Sequence, residues 1–140
     1  MIEINYLAVL VCGVVAIVLG FVWYGPLFGK KWLQITGADK ADMARREEMM
    51  KGVWKLYLTQ FALALFQAGA LAWYIVALEG VRPGVATALC IWAAFIMPTI
   101  ASGSMWNNDS AKVSWVKFLI QAGYNLVLFI LFALILVNWK

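Results

Sequence analysis

Residues 114–139 read SWVKFLIQAGYNLVLFILFALILVNW. Apart from Lys117 near its start, this stretch carries no charge, and it is longer than the ~20 apolar residues a helix needs to cross a hydrocarbon core. Such a run satisfies its own backbone groups only by coiling into a helix, and most of its side chains have nothing to offer water. Three further stretches share the pattern: about Ile4 to Tyr24, about Trp54 to Leu78 and about Val85 to Met105. The expected fold is therefore all-α. It is a polytopic membrane protein of four transmembrane helices in up-and-down order, forming one domain over residues 1–140.

Composition agrees. Of 140 residues, 65% are hydrophobic and 13% charged, and the mean hydropathy is +0.86. A water-soluble domain needs roughly a quarter of its residues charged to cover its surface. Lipid is the solvent here, so close packing and neutral hydrogen bonds take over from hydrophobic burial as the forces between helices. The first six residues carry Glu3 and no Lys or Arg, and no small-residue cleavage site closes the first run. That run reads as a retained span rather than a signal peptide.

Three connections remain. Residues 25–52 form the one sizeable segment outside the spans. Its first part, Pro26 to Ile35, sets Leu27, Phe28, Trp32 and Ile35 beside Lys30 and Lys31, which suits a short helix lying in the headgroup region. Its second part, Asp39 to Lys51, reads as a charged helix with Asp42–Arg46 and Glu47–Lys51 at i, i+4 spacing. Glu79 to Gly84 is a tight hairpin punctuated by Pro83 and Gly84. Trp106 to Val113 is a short polar turn in which Asp109 or Ser110 caps the last helix.

The net charge of +4 belongs to membrane topology and anionic headgroups, not to nucleic acid. The loop that begins at Gly25, the polar turn and the adjoining helix ends hold Lys30, Lys31, Lys40, Arg45, Arg46, Lys51, Lys55, Lys112 and Lys117. The opposite side holds only Arg82 and Lys140. Nine positive charges against two put loop 25–52 in the cytoplasm and both termini outside. Trp23, Tyr24, Trp32, Trp54, Tyr57, Trp106 and Trp115 gather at the cytoplasmic boundary and read as interfacial anchors. Trp92 alone lies well inside a span.

The stretch from Trp23 to Trp32, WYGPLFGKKW, resembles the signature of a bacterial family named only as domain of unknown function 1761. The stretch from Val116 to Leu126, VKFLIQAGYNL, is similar to that family's last helix. The resemblance covers essentially the whole chain and implies a small four-span protein of a bacterial inner membrane. It brings no activity and no functional residues. It also implies a glycine near Ala133, where this chain has none. Physically, Gly25-Pro26 is expected to end the first helix, because proline lacks a donor and disfavours helix in the residue before it. Trp23, Trp32, Lys30 and Lys31 would then seat the chain at the lipid headgroups.

Small residues recur every fourth position on three helices. The first has Ala8, Cys12, Ala16 and Gly20. The second has Ala64, Ala68 and Ala72. The third has Ala86, Cys90, Ala94, Pro98 and Ser102. Such stripes let backbones approach closely, within one chain or between chains. Pro98 is expected to kink the third helix and free a carbonyl near Ala94.

The polar groups at membrane depth are neutral. Gln60 and Gln67 share a face of the second span, and Gln121 and Asn125 share a face of the fourth. Thr59, Thr87, Thr99, Ser102 and Tyr124 are candidates to join them. Two readings stand: an amide network that locks helices together, or a polar pathway or pocket for a small neutral or apolar solute. No Asp, Glu, Lys or Arg lies at mid-membrane. The chain resembles small drug exporters in size and span number, but it lacks the buried carboxylate that proton coupling uses.

An enzyme is not expected. Histidine is absent, Cys12 and Cys90 are expected to have no basic neighbour to form a thiolate, and Asn107-Asn108-Asp109-Ser110 reads as a capped turn rather than a metal site. No cofactor or metal is expected. The leading expectation is a structural or accessory protein that self-associates as a homo-oligomer or joins a larger membrane complex, with membrane lipids as its other partners.

Overall fold

The computed structural model describes residues 2–38 and 43–139, the side chain of Met49 excepted. Lys40, Asp42, the Asp42–Arg46 pairing and Lys140 lie outside the described residues. The elements are α1 (Tyr6–Val22), a π-helical turn (Trp23–Leu27), α2 (Gly29–Thr36), α3 (Met43–Met50), α4 (Val53–Ala77), α5 (Gly84–Ile91), a second π-helical turn (Trp92–Ile96), α6 (Met97–Met105) and α7 (Ala111–Asn138). The described residues contain no strand. Four helices are long and apolar enough to cross a membrane: Tyr6–Leu27, Val53–Ala77, Gly84–Met105 and Ala111–Asn138.

Side chains cap α1 and α7, and a proline sets the start of α5. The Asn5 side chain accepts from the Leu7 and Ala8 amides at 3.0 and 3.2 Å, satisfying two orphan donors of α1. Pro83 supplies the fixed φ of −58° from which α5 departs. Ser110, not Asp109, caps α7 by accepting from the Val113 amide.

Gly25-Pro26 does not end the first helix. The backbone widens into a π turn in which the Phe28 amide donates to the Trp23 carbonyl at 2.9 Å. Pairing five residues apart lets the carbonyls of this turn step past Pro26, which has no N–H to offer. The helix therefore runs on to Leu27, and α2 leaves it at once, the Trp32 amide donating to the Phe28 carbonyl.

A second π turn changes the expectation for Pro98. The helix widens one turn earlier, at Trp92–Ile96, where the Met97 amide donates to the Trp92 carbonyl. Pro98 then sits in the first turn of α6, where a missing donor costs little. The Thr99 hydroxyl donates to the Phe95 carbonyl at 2.5 Å.

α7 is the central post. It packs against α1, α4, α5 and α6, while α1 also packs along α4. Two small-residue stripes meet in that core. Ala8, Cys12 and Ala16 on α1 and Ala64 and Ala68 on α4 are fully buried, with Ala72 nearly so. Gly20 is half-buried. Leu128, Phe129 and Phe132 fill the space between, and Ala133 is fully buried. The third stripe behaves differently. Ala86 is half-buried, but Cys90, Ala94, Pro98 and Ser102 are exposed. The face that turns inward carries Thr87, Ala88, Ile91 and Trp92 instead, because the larger Ile91 and Trp92 reach α7 and rotate the small residues outward.

Candidate functional site

Three side chains fix the rotation of α7. The Trp23 indole N–H donates to the Ile120 carbonyl at 2.9 Å, and the Trp92 indole N–H donates to the Ala122 carbonyl at 3.1 Å. Each tryptophan opens one of the two π turns, and the two grip α7 on either side of Gln121. One turn further along, the Tyr124 hydroxyl donates to the Ala16 carbonyl at 2.9 Å. Gly123 leaves room for the first grip: a Cβ there would stand 3.1 Å from Trp23 Cζ2. Held this way, α7 turns Gln121 and Asn125 toward a cleft between α1, α4 and α6.

All four amides meet in that cleft, which encloses about 850 Å3. Gln60 and Gln67 line it from α4. Gln121, Tyr124 and Asn125 line it from α7. Ala16 and Gly20 form the α1 wall, and Ile100 closes the α6 side. Sequence reasoning grouped the amides but missed the wall. The small-residue stripe of α1 has two uses here, packing at Ala8 and Cys12 and clearing space at Ala16 and Gly20. Only the meeting of the two patterns at neighbouring depth hinted at it.

The amides do not form a network. Asn125 Nδ2 donates to the Gln121 backbone carbonyl at 3.0 Å, within its own helix. Among the described residues, the side-chain amides of Gln60, Gln67 and Gln121 bond to no protein group. Of the suggested companions, Tyr124 alone lines the cleft. The Thr59 and Thr87 hydroxyls bond back to the Lys55 and Pro83 carbonyls, as Thr99 does to Phe95. Ser102 is exposed. A mostly apolar pocket of this size with a few convergent amides suits a small ligand, for which clefts of ~300–1,000 Å3 are usual.

The family model described as "Protein of unknown function (DUF1761)" matches residues 7–137. The chain belongs to the DUF1761 family. No curated protein and no solved structure matches it.

The headgroup residues divide. Lys30 and Lys31 are exposed on α2, and Trp32 sits edge-on to Tyr24 with ring centroids 5.1 Å apart. Trp23 departs from the expected anchoring role. Its ring packs against Phe28 and Tyr124 and its N–H is spent on α7, so in this DUF1761 chain it is a clasp between helices. The reason is its position: the π turn rotates it inward instead of leaving it at the helix end.

Two other groups differ from expectation or extend it. Arg82 Nη1 lies 2.8 Å from Cys90 Sγ, so Cys90 does have a basic neighbour, brought back from the hairpin along α5. Lys117 pairs with Asp109 at the loop end of α7. The Asn107 side chain accepts from the Asp109 amide and the Ser114 hydroxyl, as a capped turn does. At the far end of the bundle a second cavity of about 890 Å3 is edged by Glu3, Asn5, Glu79, Arg82 and Trp139.

Proposed function

We propose that this chain is a non-enzymatic membrane protein whose amide-lined cleft takes up a small neutral or apolar solute, as a binding pocket or as a passive path. One observation carries the reading. Gln60, Gln67, Gln121 and Asn125 come from two helices to one cavity, yet their side-chain amides do not bond to one another; Asn125 bonds only to the Gln121 backbone carbonyl of its own helix. An amide at membrane depth that locks helices finds a partner on the neighbouring helix. These point into shared space instead, and the locking is done by Trp23, Trp92 and Tyr124.

The membrane in this proposal is the bacterial inner membrane, with loop 25–52 cytoplasmic and both termini periplasmic. Support comes from the charge bias, since Lys30, Lys31, Lys51, Lys55, Lys112 and Lys117 belong to one end of the bundle and Arg82 to the other. Lys30 and Lys31, exposed on α2, would then meet anionic headgroups.

The test is a double variant, Gln67→Leu with Asn125→Leu, in proteoliposomes and in detergent. Uptake of glycerol or urea by stopped-flow light scattering, and ligand-induced shifts in melting, are measured against the wild type. The cleft reading expects any solute response to vanish while the folded bundle melts within about 1 kcal/mol of the wild type. A variant that loses stability or changes oligomeric state, with every solute response intact, would overturn it.

A second reading has its own support. The stripe of Cys90, Ala94, Pro98 and Ser102 is exposed along the third span. Small residues there suit association with a second copy or with a larger complex, in the structural or accessory role that the sequence favoured.

A further inference from the structure

We infer that the cleft accepts an uncharged amphiphile from the lipid side: a molecule with a hydroxyl- or carbonyl-bearing head and an apolar body. This rests on the cleft being a ligand site, and it adds the ligand's class and its route of entry.

The chemistry of the wall sets the class of the head. Primary amides offer donors and acceptors together, and Gln60, Gln67 and Gln121 have both kinds unspent on protein. A head with hydroxyls or a carbonyl matches both. A charged head has nothing to meet it. Among the described residues, no Asp, Glu, Lys or Arg lines the cleft. The one cation on the same stripe of α7, Lys117 at four residues before Gln121, is already paired with Asp109. Moving an ion into such a wall without a counter-charge is strongly unfavourable even after relaxation.

The rim sets the body and the route. Phe21, Leu63 and Phe66 border the cleft and are all more than half exposed, Phe66 at 76%. They lie on the outer faces of α1 and α4, which in a bilayer meet acyl chains. The cleft thus has a polar floor and an apolar edge that opens sideways. Along α4 it extends from Tyr57 to Gln67, about 15 Å of helix at ~1.5 Å per residue. That is about half of a ~30 Å hydrocarbon core. A head bonded to the amides can therefore leave its chain among the lipids without crossing the bundle.

The experiment uses the full-length protein in liposomes and a diazirine-bearing analogue of 1-monooleoylglycerol. Labelled peptides are mapped by mass spectrometry, with unlabelled 1-monooleoylglycerol, oleate and glycerol as competitors. Oleate shares the chain but carries a charge, and glycerol shares the head without the chain. The expected result is saturable labelling of peptides bearing residues 57–67 and 121–125, competed by 1-monooleoylglycerol and not by oleate or glycerol. Gln67→Leu should weaken labelling about fivefold to tenfold, as the loss of buried ligand hydrogen bonds does. Gln60→Leu, at an exposed position that does not threaten the fold, should weaken it in the same direction. Competition by oleate as strong as by 1-monooleoylglycerol overturns the proposed class. Competition by glycerol alone also overturns it while leaving a solute site in the cleft standing. Labelling that neither saturates nor responds to the variants, with no glycerol or urea response either, removes both the class and the site.

Discussion

The Tyr124 hydroxyl donates to the Ala16 carbonyl at 2.9 Å inside the core, joining α7 to α1 across 108 positions of chain. In a bilayer such a bond forms without competition from water, but the unfolded chain in lipid also finds partners, so its net worth is modest. Tyr124→Phe keeps the ring and removes the donor. The expected loss is ~0.6–1.7 kcal/mol in a detergent unfolding titration. Ala16 and Tyr124 also line the cleft, so the variant removes a donor from that wall without changing its shape. No measurable change in unfolding would mean that the bond is not formed in the membrane.

Trp23 gives a cleaner contrast between two roles. An interfacial anchor exchanges with Tyr or Phe at little cost, because the headgroup layer accepts any amphipathic ring. A clasp does not, since Phe has no N–H for the Ile120 carbonyl and fills less of the space over Gly123. Trp23→Phe should therefore cost ~1–3 kcal/mol from the lost bond and the unfilled volume together. Trp32→Phe, whose ring meets only Tyr24 among the aromatic groups, should cost clearly less. Equal effects in the same unfolding assay would return Trp23 to the interface.

Gly29 is required by a backbone contact. A Cβ there would stand 2.8 Å from the Tyr24 carbonyl oxygen, and that oxygen belongs to the π turn and cannot swing away like a side chain. Gly29→Ala should force α2 off the end of the first span at ~1–3 kcal/mol, the usual range for overpacking. Faster amide exchange over residues 29–36, with the cores of α4 and α7 still protected, is the expected pattern. Gly69, in the middle of α4, has nothing within 4 Å of a built Cβ. Gly69→Ala should instead stabilise by ~0.5–1 kcal/mol. If both changes have the same sign, close approach is not what Gly29 is for.

Much of this was legible in the chain, and the exceptions share a cause. Four spans followed from run length, because a bilayer imposes one structure on a long uncharged stretch. Small-residue stripes marked contact faces on three helices; Ala8, Cys12 and Ala16 of α1 and Ala64, Ala68 and Ala72 of α4 are buried in the core, while Cys90, Ala94, Pro98 and Ser102 of the third are exposed. The two π turns were not foreshadowed. Proline announces a disturbance, but whether the helix stops, kinks or widens depends on which neighbouring groups can take up the freed backbone. Here Trp23 and Trp92 found carbonyls on α7, relationships across 97 and 30 positions of chain respectively that no local pattern encodes. The four amides line one cleft, but the chain left open whether they bond to one another or face a pocket, since spacing along a helix gives the face and not the distance to the next one. Cys90 was read without Arg82 because the hairpin that folds that guanidinium back carries no marker of its direction.

The two cysteines supply a test of self-association without any added label. Cys12 is fully buried between α1 and its neighbours, while Cys90 is exposed on the third span, within the stripe that continues through Ala94 and Pro98. If two copies meet along that stripe around a two-fold axis, their Cys90 residues face each other, because such an interface applies the same patch to both partners. A disulfide needs Cα atoms within ~7 Å, which close small-residue contact allows. Mild oxidation of membranes should then give a dimer on non-reducing gels in the wild type and in Cys12→Ser, and none in Cys90→Ser. Ala94→Phe, which puts a ring where the backbones would touch, should reduce the dimer about tenfold if the contact is worth ~1.4 kcal/mol. A dimer that persists in Cys90→Ser, or one that Ala94→Phe leaves unchanged, would show that the exposed stripe faces lipid and not a second copy.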